Sequence, residues 1–152
     1  AVNYMAYTRS GKTFTEFVLL VFRLNGLLLE AGDHLTAPVG QTSARWQVMG
    51  CIDDEARTVA DVARIMGLAR QSVQRVADLL VKDGLAVYSE NPHHKRAKLL
   101  KLNAKGLKAL RTIEKAQRTW ANAIGKEVGE RDLVKVLKVL EQLHQILEKK
   151  TP

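Results

Sequence analysis

The chain has 152 residues, 46% of them hydrophobic and 26% charged, with three prolines and a single cysteine. That length and balance describe one folded, helix-rich unit rather than a disordered chain, and one cysteine excludes an internal disulfide framework and suits a reducing compartment. The formal charge is +8, and residues 57–111 hold twelve Lys or Arg against four acids, so the whole excess falls in the middle of the chain, a segregation suited to a polyanionic partner.

Residues 13–31 place Phe14, Phe17, Val18, Val21, Leu24, Leu28 and Ala31 at helical spacing, while Leu19, Leu20, Phe22 and Leu27 are apolar too. A helix apolar on nearly every side needs cover on nearly every side, and in a chain this small a second copy is the simplest cover. Arg23 and Asn25 interrupt the run before it reaches the roughly 20 residues a bilayer requires, so no membrane span is expected. Ala37, Pro38, Val39 and Gly40 break the pattern, and Thr42 is placed to cap a helix over 42–53 with Trp46, Met49 and Ile52 on one face.

The stretch TVADVARIMGLARQSVQRVADLLVKDGL is the most informative. Thr58 followed by Asp61 opens a short helix to Met66 in the manner of a capping box, and Gly67 supplies the positive-φ stop. A second helix is predicted from Arg70 to Lys82, ended by Asp83 and Gly84, with Val73, Val76, Ala77 and Leu80 as its buried stripe. Two short helices around a glycine-containing turn make a helix-turn-helix. The outward residues at the start of the second helix are Arg70, Gln71, Ser72, Gln74 and Arg75, side chains of the type that read base edges from a recognition helix.

LAVYSE and AKLLKL read as two strands separated by an Asn91-Pro92 turn signal, a hairpin that forms a wing behind the helix-turn-helix. Asn103 caps a long helix over about 104–124, Gly125 and Gly129 mark a break, and 131–149 form a last amphipathic helix with a seam of Leu133, Leu137, Leu140, Leu143 and Leu147.

These segments resemble the MarR family of bacterial winged-helix transcription regulators over about 42–106. In that family the wing commonly reads Asn-Pro-x-Asp-Arg-Arg-Ala followed by Leu-Thr-x-x-Gly, and Asn91, Pro92, Arg96, Ala97, Leu102 and Gly106 agree. His94 and Lys95 stand where Asp-Arg is usual, Asn103 replaces a threonine cap, and Ala69 occupies a position where Ser or Thr is common. The resemblance implies a mainly α fold with a small β wing (α+β). Residues 1–35 would form an N-terminal dimerisation region, 36–103 the winged helix-turn-helix and 104–152 C-terminal dimerisation helices. It further implies a cytoplasmic homodimer on a pseudo-palindromic double-stranded operator, acting as a repressor and released by a small-molecule effector.

On this reading Arg70, Gln71, Ser72, Gln74 and Arg75 meet the major groove, Lys95 and Arg96 form a positive tip for the minor groove, and Arg64 and Lys98 meet phosphates. His34 and Trp46 are the candidate effector contacts, with a plain core role as the alternative for Trp46. His93 and His94 are adjacent, and on an extended wing their side chains would point to opposite faces, so no metal site is expected there. Nor is one expected from His34, Cys51 and His144, and no cofactor is implied. No nucleophile with a base, phosphate loop or carboxylate pair suggests an enzyme. The alternatives left open are a winged helix used for protein contact and a non-specific architectural DNA binder.

Overall fold

Thr8 opens the first helix by accepting from the Gly11 amide at 3.0 Å, and α1 then runs from Arg9–Thr36, longer at both ends than its apolar periodicity indicates. The computed structural model of the chain describes residues 1–150 in two units, 1–113 and 114 onward. A single 3-10 turn at Ala37–Val39, with Gly40 at φ +69°, makes the break foreseen around Pro38.

The end of α1 is tied to α2 (Ser43–Cys51) at close range: the Ser43 amide donates to Asp33 Oδ1 at 2.7 Å, and a Cβ added to Gly32 would lie 2.5 Å from Ser43 Oγ. Thr42 caps α2 as expected, its Oγ1 accepting from the Arg45 amide at 3.2 Å. The helix stops two residues short of the expected 53, with Ile52 at φ −117° outside helical geometry.

The helix-turn-helix is formed by α3 (Val59–Met66) and α4 (Arg70–Lys82). Thr58 Oγ1 accepts from the Asp61 amide at 3.1 Å, and the Thr58 hydroxyl is 2.9 Å from Asp61 Oδ2, so the side chains close the cap together. Gly67 at φ +65° lets its own amide and that of Leu68 turn back onto carbonyls of α3, which ends the helix after two turns. Ala69 caps α4 without a side-chain hydrogen bond, the position where Ser or Thr would add roughly 1 kcal/mol.

The wing is a three-stranded antiparallel sheet in the order β1-β3-β2, with β1 at Arg57–Thr58, β2 at Ala86–Ser89 and β3 at Leu99–Leu102. Tyr88 pairs with Leu100 and Arg57 with the same residue from the other side. The sequence indicates two strands; the third is only two residues long and shows no periodicity of its own.

Side chains from all these elements meet in one core: Val48, Met49 and Ile52 of α2, Val62 and Ala63 of α3, Val73, Ala77 and Leu80 of α4, and Leu100 and Leu102 of β3 are buried. Leu110 and Ile113 of α5 (Ala104–Val128) are buried as well, and Leu110 packs in the same cluster. The first half of α5 approaches the chain so closely that a Cβ on Gly106 would stand 2.1 Å from the Leu85 carbonyl oxygen.

In the second unit α5 continues through Gly125 to Val128, and only Gly129, at φ +94°, turns the chain into α6 (Glu130–Lys150). Gly125 therefore does not break the helix; it has an ordinary helical backbone, and the break falls on the one glycine that leaves it. No residue of α6 is buried, although Val136, Leu137, Val139 and Leu147 are apolar. Among the described residues no helix is long and apolar enough to cross a membrane.

Candidate nucleic-acid interface

The first turns of α4 and the strand ends of the wing enclose a cleft of about 580 Å³. Arg70, Gln71 and Gln74 line one wall, Tyr88, Arg96, Ala97 and Lys98 the other, and Thr58, Val59 and Ala60 close the end. Residues separated by more than twenty positions are brought together because the core holds α4 against the sheet through Val73, Ala77 and Leu80. The cleft joins three cations from two elements, Arg70, Arg96 and Lys98, all exposed.

A second groove of about 430 Å³ runs along the outer side of α4 between Gln71, Gln74, Arg75, Asp78, Leu79 and Lys82. Ser72 is exposed near the start of the same helix. Arg64 and Arg70 share a smaller recess with Leu68 at the helix-turn-helix corner. Arg64 lies 3.4 Å from Asp61 Oδ1 across an exposed pair, which leaves the guanidinium in water.

Pairing redistributes the positive excess of residues 57–111. Arg111 binds Asp53 through Nη1 to Oδ2 at 2.9 Å and Nη2 to Oδ1 at 2.7 Å, and Arg57 lies 2.7 Å from Glu55 and donates through Nε to the Cys51 carbonyl. Lys105 donates to the Asp83 carbonyl at 3.1 Å. In the opposite direction, Arg45 neutralises Asp83 at 2.7 Å. The acids that quench Arg57 and Arg111 precede the basic stretch in sequence, so a linear count overstates the field.

The wing tip differs from the extended ribbon expected of it. The His93 amide donates to Asn91 Oδ1 at 3.0 Å, the His94 amide to the Asn91 carbonyl and the Ala97 amide to the His94 carbonyl. Two consecutive turns thus span 91–97, and the alternation of side chains assumed for His93 and His94 does not apply. Lys95 is exposed at this tip. Among the described residues no three His, Cys, Asp or Glu side chains are grouped to hold a metal ion.

Gln74 is not a free side chain. Its Nε2 donates to Asp78 Oδ1 and to the Tyr88 hydroxyl, both at 2.9 Å, and the hydroxyl donates to the same Asp78 oxygen at 2.6 Å. The Tyr88 hydroxyl, then the Gln74 amide, hold the Asp78 carboxyl below its ordinary range; burial, then the Asp78 carboxylate, push the Tyr88 phenol up to about 12. Neither Asp78 nor Tyr88 is among the residues the sequence singles out. The alternation that places Tyr88 on the same side of β2 as buried Ala86 was the available signal.

His34 and Trp46 stand apart from this cleft. His34 is exposed in the last turn of α1, and Trp46 is half-buried and packs against the core. Cys51 is also half-buried, and burial raises its thiol, a setting that disfavours the reactive thiolate.

The sequence profile of the MarR family matches residues 40–97, which span the helix-turn-helix and the wing tip. Over these residues the winged helix is similar in sequence to the MarR family. Over 93 residues, 61% of this chain, it is 45% identical to an uncharacterised protein of Mycobacterium tuberculosis (strain H37Rv) and equally to one of Mycobacterium bovis. The chain spans 65% of the length of those relatives. The whole chain also resembles a crystallised MarR-family transcription regulator, SP03579, with a TM-score of 0.79, 18% identity and 97% of each chain covered. The transcriptional repressor CouR bound to a 23-mer DNA duplex aligns over 93% of this chain and 99% of its own at 25% identity and a TM-score of 0.71. The mainly helical fold with a small antiparallel wing is that of the MarR-family structures.

Proposed function

We propose that the chain is a transcription regulator that binds double-stranded DNA by sequence, as a homodimer, and acts as a repressor in the cytoplasm. The observation that carries this reading is the cleft in which Arg70, Gln71 and Gln74 of α4 face Arg96 and Lys98 of the wing. Arginine and glutamine at the start of a recognition helix suit base edges in the major groove, and a cationic wing suits the narrow, more negative minor groove beside it. Arg75 and Ser72 extend the reading surface along the helix, while Arg64, Lys95 and Lys98 suit phosphates that fix register without reading sequence.

Dimerisation is supported by the apolar residues that α1 leaves uncovered: Phe22 is 69% exposed, Leu27 63% and Leu20 60%. A single chain rarely leaves this many large apolar side chains of one helix to water, and a two-fold interface would cover them with its own copy. Two recognition helices about one helical turn of DNA apart then demand a pseudo-palindromic operator with half-sites centred roughly 34 Å apart. Release by a small-molecule effector belongs to the same proposal by likeness. CouR from Rhodococcus jostii is seen with p-coumaroyl-CoA, and the Staphylococcus aureus MarR with salicylate and kanamycin. His34 and Trp46 are the residues proposed to meet such a ligand here.

Selection from a library of randomised duplexes tests the reading. An inverted repeat with half-sites one turn apart is expected; enrichment of no sequence above the starting pool points instead to the architectural alternative.

A further inference from the structure

The triangle formed by Gln74, Asp78 and Tyr88 restricts what α4 can offer a base. Gln74 and Asp78 lie one turn apart and both line the outer groove of the helix, while Tyr88 reaches them from β2. The direction of each contact in the triangle follows from what its atoms can donate. The phenol has one hydrogen and gives it to Asp78 Oδ1 at 2.6 Å, and its oxygen accepts from the Gln74 amide at 2.9 Å. The same amide nitrogen also donates to that carboxylate oxygen at 2.9 Å. Turning the amide over would set Gln74 Oε1 against a carboxylate with no proton between them, so the orientation is fixed by chemistry.

With its nitrogen held toward Tyr88 and Asp78, the Gln74 amide turns Oε1 away from them, and the groups left unengaged by the triangle are acceptors: Gln74 Oε1 and Asp78 Oδ2. A free glutamine recognises adenine by donating to N7 while accepting from the N6 amino group. Gln74, held this way, keeps its amide nitrogen turned toward Tyr88 and Asp78 and away from N7. Guanine shows two acceptors in the major groove and thymine an acceptor with a methyl, and both are repelled by an acceptor-only pair. Cytosine shows an N4 amino donor, the group a carboxylate suits best.

We propose that Gln74 and Asp78 form an acceptor-only reading element that selects cytosine at one position of each half-site, and that Tyr88 is the positioning residue that keeps it so. The inference rests on the DNA-binding reading above and names a base preference within it. Tyr88 acts through its hydroxyl, and its ring is half-buried against the core. Tyr88→Phe keeps the packing and removes both the acceptor that engages the Gln74 amide and the proton given to Asp78.

Sites are selected from randomised duplexes by the full chain, by Tyr88→Phe and by Asp78→Asn, with melting temperatures measured alongside. The wild type is expected to require cytosine at one position per half-site and to lose roughly tenfold in affinity when that cytosine is replaced by an analogue lacking the N4 amino group. Tyr88→Phe returns a hydrogen to Gln74, so adenine joins cytosine at that position while the others keep their preference. Asp78→Asn, on an exposed residue, introduces a donor and admits guanine or thymine there. If the wild type selects a site and both variants select the same one at every position, the inference falls alone, and the triangle is merely a staple between α4 and β2. If the wild type selects no sequence at all, the DNA-reading proposal falls and takes the inference with it.

Discussion

Asn103 donates through Nδ2 to the Gly84 carbonyl at 2.7 Å while its Oδ1 accepts from the Gly106 amide at 2.9 Å. One side chain thereby joins the turn that ends the recognition helix to the first turn of α5, and its own amide adds a bond to the Leu85 carbonyl at 3.1 Å. Asn103→Ala removes a cap and leaves a carbonyl without its partner, and is expected to cost about 1 to 2 kcal/mol in denaturant unfolding. Asn103→Thr restores the cap without the Gly84 contact and should fall between the two; a threonine variant no better than alanine would show that the cap contributes little.

Gly106 and Gly125 sit in the same helix and respond to alanine in opposite senses. A Cβ at Gly106 meets the Leu85 carbonyl oxygen, which is backbone and cannot swing aside, so Gly106→Ala should destabilise by about 3 kcal/mol. At Gly125 nothing lies within 4 Å, and Gly125→Ala should stabilise by up to about 1 kcal/mol. Urea midpoints of the two variants check both signs.

The helix-turn-helix was legible because its signals are local. Thr58, Asp61, Gly67 and the stripe of Val73, Ala77 and Leu80 act within a turn or two of themselves, and α3 and α4 have the predicted ends. What depended on distant partners was not legible. β1 exists because Arg57 and Thr58 pair with β3 some forty residues later, and two residues carry no period. The charge balance changed because Asp53 and Glu55 reach forward to Arg111 and Arg57. Gln74 looked like a free base reader, and only the fold reveals Tyr88 occupying its amide. Thr8 was missed as the start of α1 because Ser10 and Gly11 follow it, residues that seldom begin an apolar repeat.

Acid should weaken the start of α3 in a defined direction. The Thr58 hydroxyl is the largest influence lowering the Asp61 carboxyl from 3.8. A depressed carboxyl favours the folded state wherever it is ionised, so its contribution is complete above the ordinary value and disappears as pH falls through the lower folded one. The difference in melting temperature between the wild type and Asp61→Asn is therefore expected to be steady from pH 7 to 5 and to shrink below about pH 4. A difference that grows in acid would contradict this assignment.

Charge placed on the exposed apolar residues of α1 should separate the subunits. Phe22→Glu together with Leu27→Glu would bury two carboxylates in the proposed interface, a cost large enough to convert a dimer to monomers. Sedimentation equilibrium is expected to give twice the chain mass for the wild type and one chain mass for the variant, with duplex affinity falling in parallel.

The proposed function requires the recognition helix and the wing to share one surface for a duplex. Affinity for the selected duplex, measured across salt concentrations, tests it with Arg70→Ala and Arg96→Ala from opposite walls of the cleft and Arg118→Ala as a charge-matched control outside it. Each cleft variant is predicted to bind roughly tenfold more weakly, and Arg96→Ala to flatten the salt dependence by about one unit of slope per subunit, while the control binds as the wild type does. Affinities that coincide for all four proteins at every salt concentration would contradict it.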